Sequence, residues 1–195
     1  MSTHTARLAE KASKASLGFW LYLMTDILVF ASLFATYVIL RGGTNGGPDA
    51  HEIFNLNSII VSTAILLISS LTSGLAYLAF KNGRVEQAVL LLCTTIILGV
   101  GFITLELVEF SELIMHGHGP AHSAFLSAFF TLVGTHGLHI LVGIIWAAAL
   151  VDHIVTRGAN PNILRKLSLF TVFWHFLDLV WIFIFTIVYL LGVLS

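Results

Sequence analysis

The sequence predicts an all-α membrane protein, one bundle of five transmembrane helices, and three observations lead there. Apolar residues make up 57% of the 195-residue chain and charged residues only 10%, against roughly 25% charged in an ordinary soluble domain. The apolar residues fall into five runs, at about 17–40, 57–80, 87–115, 123–153 and 167–193, each long enough to cross a hydrocarbon core that needs about 20 residues. Lys and Arg are sorted by loop: of the nine, only Arg41 lies in an odd-numbered loop. Basic loops stay cytoplasmic, so helix count and orientation follow together, with the N-terminus inside and the C-terminus outside.

Residues 1–16 are polar and mildly basic, carrying Arg7, Lys11 and Lys14, and are expected to form a short cytoplasmic segment. The run behind them, Leu17–Leu40, is too long for a signal-peptide core and reads as a retained first helix. Residues 17–195 are then one membrane domain, with no length left for a soluble one. Gly42-Gly43-Thr44-Asn45-Gly46-Gly47-Pro48 is a turn-rich outer loop before the second run, Asn57–Phe80. That run carries Ser69, Ser70, Ser73 and Gly74, and the fourth carries Gly134, Gly137, Gly143 and Ala147. Stripes of small residues let helices approach closely in lipid, where apolar burial drives nothing. The third run, Gln87–Met115, follows the inner loop with Lys81 and Arg84, and ends at His116-Gly117-His118-Gly119-Pro120, a tight outer turn. Gly158–Pro161 breaks the chain inside before the fifth run, Leu167–Val193. No repeat relates the halves, which speaks against an inverted-repeat transporter. One cysteine, Cys93, excludes an internal disulfide and any multi-Cys metal site.

Ionisable groups at membrane depth are costly and are functional candidates by default. Counting 1.5 Å per residue from the cytoplasmic end puts His175, Asp26 and Asp178 at about 12, 14 and 17 Å. His139 and His136 come at about 20 and 24 Å, so these five are expected in one layer. Glu106, Glu109 and Glu112 lie at about 28 Å or more, near the outer boundary. Asp26 reads either as a proton-binding carboxyl or as a hydrogen-bonded brace to a neighbouring helix. His136-x-x-His139, His175-x-x-Asp178 and Glu106-x-x-Glu109 each share a helical face. Such spacing could serve a di-iron site or haem ligation, yet no Glu-x-x-His occurs and the Glu stripe lies away from the histidines. Interhelical hydrogen bonding is the expected role. Trp20, Trp146, Trp174 and Trp181 lie too deep for an interfacial belt alone, and some are expected against a partner subunit. There is no phosphate-binding glycine loop, no Ser-His-Asp arrangement and no basic nucleic-acid surface. A subunit of a larger complex, a metal- or haem-binding membrane enzyme and a small proton-linked transporter remain as alternatives.

Four segments resemble a known family. Phe125–His139 with Val142-Gly143 is similar to the fourth-span signature of haem–copper oxidase subunit III, and Phe173-Trp-His-Phe-Leu-Asp178-Leu-Val-Trp181 to its final-span signature. Gly18–Asp26 with Phe30 and Phe34 resembles the first common helix, and Glu106-Leu-Val-Glu109-Phe the acidic third. Five helices instead of seven, and Asp at position 26 where cytochrome c oxidase forms carry Glu, most resemble the cytochrome bo-type ubiquinol oxidases. The resemblance implies a non-catalytic subunit in a bacterial cytoplasmic membrane, without a cofactor of its own. Haem and copper are then expected in subunit I, the main partner, alongside other oxidase subunits and membrane phospholipids. The implied role is assembly, stability and support of proton uptake. Asp26 matches a carboxyl of unusual reactivity in the family; Glu106, Glu109, His136, His139, His175 and Asp178 stand with it as buried polar candidates.

Overall fold

The computed structural model describes residues 3–46, 56–158 and 160–194, of which residues 3–12, 56–57, 193 and 194 are described by backbone alone. Its helices are α1 (Thr3–Leu40), α2 (Leu56–Lys81), α3 (Val85–Met115), α4 (Ala124–Arg157) and α5 (Pro161–Ile184). A π-helical segment, Phe185–Leu190, continues α5 into a last turn, α6 (Leu191–Leu194). With the π segment, the five helices are long and apolar enough to cross a membrane. Gly47 and Pro48 of the expected outer loop lie outside the described residues.

Each helix boundary has a local cause. Apolarity begins at residue 17, but α1 starts at Thr3 because Ala, Leu, Glu and Lys hold a helix in water as well as in lipid. α2 and α3 both end in a Schellman turn. The Arg84 amide donates to the Ala79 carbonyl and the Gly83 amide to Phe80; likewise His118 donates to Leu113 and Gly117 to Ile114. Gly83 and Gly117 take φ values of +77° and +82°, which only glycine adopts readily. The expected tight turn at His116–Pro120 is therefore the cap of α3. The Ser123 hydroxyl accepts the Leu126 amide to start α4. Asn160 Oδ1 accepts the Asn162 amide, with Pro161 behind it, to start α5 six residues before its apolar run.

The bundle follows a 3.5-residue repeat. Buried positions run Ile163, Leu167, Phe170, Trp174, Leu177, Trp181, Ile184 along α5, and Phe129, Val133, His136, Ile140, Gly143, Ala147, Leu150, Ile154 along α4. α2 shows the same alternation of three and four through Ile59, Ser62, Leu66, Ser69, Ser73, Ala76 and Phe80. Such seams give near-antiparallel, knobs-into-holes packing. α3 packs between α2 and α4, α5 lies against α2 and α4, and α1 is held mainly by α4.

Two tryptophans one heptad apart join the helices. The Trp174 indole sits against Gly99 of α3 and Gly143 of α4 and donates to Ser69 Oγ of α2 at 3.1 Å. Trp181 meets Phe102 of α3 edge-on at 4.7 Å and donates to Thr63 Oγ1 of α2 at 3.0 Å. Both are fully buried inside this chain, which leaves only Trp20 and Trp146 for the contact with a partner expected of some of the four. Trp20 keeps an exposed face and Trp146 a partly exposed one. The small-residue stripes do serve internal contacts: a Cβ on Gly143 would come within 2.6 Å of Trp174.

Candidate functional site

Three of the ionisable groups sit on the heptad seams instead of beside them. Asp26 follows Leu23 and precedes Phe30 on the seam of α1; Glu106 follows Phe102 and precedes Leu113 on that of α3; His136 lies between Val133 and Ile140 on α4. Register alone therefore turns each inward, and their environments then diverge.

Asp26 and His139 meet across α1 and α4, with Asp26 Oδ1 3.6 Å from His139 Nε2. His139 Nδ1 lies 2.7 Å from the Thr135 carbonyl of its own helix. A carbonyl only accepts, so Nδ1 carries the hydrogen and Nε2 is the nitrogen left facing the carboxyl. The carboxyl and the imidazole thus face each other as a polar contact between the two helices. Tyr22, one turn before Asp26, lies within hydrogen-bonding reach of the carboxyl, and the Phe30 ring closes one side of His139 at 5.2 Å.

His136, one turn away, behaves differently. It is fully buried, and neither ring nitrogen has a hydrogen-bond partner among the described residues. Its ring stacks on Trp181 at 5.3 Å and 27°, with Phe102 edge-on at 5.9 Å. The expected interhelical hydrogen bond is absent because the facing seam positions are aromatic; the imidazole fills space as a ring. Replacing His136 by Phe should therefore leave thermal stability within about 1 kcal/mol. A melting curve of the purified protein checks this, and a large loss would show that a ring nitrogen is needed.

His175 and Asp178 do not join this layer. They face α2, where a Cβ on Gly74 would touch the His175 ring at 3.6 Å and Ser70 lies within hydrogen-bonding reach of Asp178. His175 is exposed and Asp178 half-buried, with one carboxyl oxygen buried and unpartnered. The single expected layer is thus two sites: Asp26–His139 between α1 and α4, and His175–Asp178 on the outside of α5. Axial depth predicts the level of a residue but not the side of the helix that it occupies.

Towards the C-terminal end of α3, Glu106 is buried and Glu109 partly so, while Glu112 is exposed. Glu109 lies within hydrogen-bonding reach of Tyr189 of the π segment. The Tyr37 hydroxyl donates to the Val188 carbonyl in the same segment at 3.4 Å, a carbonyl made available by the wider π turn. The sequence reading missed Tyr37 and Tyr189; Tyr37 continues the α1 seam, but nothing in Phe185–Leu190 signals a π turn. The His118 and His122 rings stack at 6.0 Å. Among the described residues no three His, Cys, Asp or Glu side chains converge as a metal-ligand set, so the histidine pairs and the Glu stripe stay separate.

A family model described as cytochrome c oxidase subunit III matches residues 2–193. A cytochrome bo(3) ubiquinol oxidase subunit 3 from Pseudomonas putida is 52% identical over 178 residues, 91% of this chain and 86% of the relative. A cytochrome c oxidase subunit 3 from Bacillus sp. (strain PS3) is 46% identical, covering 92% and 86%. A quinol oxidase subunit 3 from Bacillus subtilis (strain 168) is 42% identical, covering 90% and 86%.

Proposed function

Because the chain belongs to the cytochrome c oxidase subunit III family, we propose that it works as the accessory subunit III of a haem–copper ubiquinol oxidase, with the redox centres in a partner subunit I. The 52% identity over most of both chains to a subunit 3 of a ubiquinol oxidase carries the quinol reading, supported by Asp at position 26. It is a multi-pass membrane protein. The loop distribution of Lys and Arg supports a cytoplasmic N-terminus and a periplasmic C-terminus.

The role in the complex is to supply a rigid surface. Tryptophans and glycines lock α5 against α2, α3 and α4, while α5 leaves His175, Leu179, Ile182 and Thr186 exposed at helical spacing. An exposed imidazole beside a carboxyl is costly against lipid and acceptable against protein. This stripe supports α5, between the walls of α1 and α2, as the side that docks on subunit I. The Asp26–His139 pair lies largely buried between α1 and α4 and braces α1, the most loosely held helix; an acid facing an imidazole at membrane depth supports a contribution to proton uptake by the partner.

Purification in mild detergent tests the reading. A large haem-bearing partner should co-elute in fixed proportion, whereas haem or metal bound stoichiometrically by the isolated chain would overturn it. Asp26→Asn should leave the haem spectrum of the complex unchanged and alter at most proton uptake or durability in turnover. Loss of haem from that variant would contradict an accessory role.

A further inference from the structure

A groove of about 260 Å³ runs along the outside of the bundle between α3 and α4, in the outer half of the membrane-spanning region. Its floor is Gly134 and Gly137, and Leu107, Leu138 and Leu141 form exposed rims. The floor is narrow: a Cβ on Gly134 would meet Phe110 at 3.8 Å, and one on Gly137 would meet Ile103 at 3.9 Å. Set into this apolar lining is Glu106, only 6% exposed, with Oε2 lacking a hydrogen-bond partner among the described residues.

We propose that this groove is a binding site for a membrane-dissolved, single-chain amphiphile whose hydroxyl group hydrogen-bonds to Glu106. Three features select that chemistry. Apart from Glu106 the groove is lined by Ile, Leu, Phe, Val and Gly, so the polar group that meets the carboxyl is carried by a molecule that partitions into the membrane. A hydroxyl both donates and accepts and satisfies the carboxyl whether or not it carries its proton; an ammonium group satisfies only the carboxylate. The glycine floor and leucine rims admit one extended chain lying along the helices. Buried polar groups are paired as a rule, and the bundle offers Oε2 no partner of its own.

Photolabelling of the purified complex tests this with three probes: a long-chain primary alcohol with a mid-chain diazirine, the matching alkane without the hydroxyl, and an isoprenoid quinol with a diazirine in its tail. The alcohol should label residues 103–110 and 133–141 about fivefold more than the alkane, the advantage that one hydrogen bond gives. Gly137→Leu fills the groove from its open side and should abolish the label. Glu106→Leu should reduce the alcohol to the level of the alkane, while Glu106→Gln, which still donates and accepts, should retain it. Equal labelling by alkane and alcohol would overturn the proposal in favour of ordinary lipid packing. So would a label that survives Gly137→Leu, or labelling by the quinol without the alcohol.

Discussion

Gly143→Ala is expected to destabilise the bundle by about 1–3 kcal/mol, the usual effect of forcing a methyl into a filled core. The added carbon would sit 2.6 Å from one Trp174 ring atom and 2.9 Å from another, with Phe173 at 3.3 Å behind them. The indole has nowhere to go: Gly99 of α3 approaches its far edge, where a Cβ would lie 3.1 Å away, and its Nε1 is tied to Ser69 of α2. Trp174→Ala should cost more, about 3 kcal/mol or above, from the cavity between four helices and an abandoned Ser69 hydroxyl. Trp174→Phe should be milder and should partly rescue Gly143→Ala, because the smaller ring vacates the space that the methyl enters. The measurement is a double-mutant cycle on the melting temperature of the purified complex. Additive losses would mean that the two residues do not press on each other.

The second large effect is on assembly. Replacing His175 and Asp178 together by Leu should leave the isolated bundle folded, since His175 is exposed and Asp178 only half-buried. It should nevertheless reduce recovery with the haem-bearing partner at least about tenfold, the scale of a desolvated charged contact at an interface. Replacing His136 and His139 by Phe should affect co-purification much less, because those rings are turned inward against Trp181 and Asp26. Equal losses from both pairs would remove the case for α5 as the docking side.

Much of this architecture is legible in the chain, for physical reasons that also mark where legibility ends. Five spans follow from apolar length, and Gly143 and Ala147 mark a close-packing face on α4, although the chain does not say which helix meets it. The seam itself can be read: Ala88, Leu92, Thr95, Gly99, Phe102 and Glu106 alternate by three and four, and that register alone turns Glu106 inward. Depth counting brings Asp26 and His139 to nearby levels, and they do meet. It fails for His175 and Asp178 because rotation about the helix axis, not depth, decides which neighbour a side chain sees. The hydrogen-bonding role expected of His136 fails because it depends on the facing helix, which offers Trp181 and Phe102. The two buried tryptophans were readable as a heptad pair, whereas depth alone does not say which of the four tryptophans turn inward.

The π turn at Phe185–Leu190 makes the outer end of α5 one residue longer than a regular helix of the same rise. An insertion of a single amino acid into an ancestral α-helix leaves this kind of trace, and excising one, such as Ile187, would wind the segment tight again. The shortened helix would still span the bilayer, and Val188 and Tyr189 would keep their side of it, because one π turn and an α turn with one residue fewer advance by nearly the same angle and rise. Amide exchange in deuterated buffer would register the change as slower turnover at this end of the helix. The surplus residue is thus absorbed within a single turn, at the expense of backbone regularity and with both tyrosine contacts left in place.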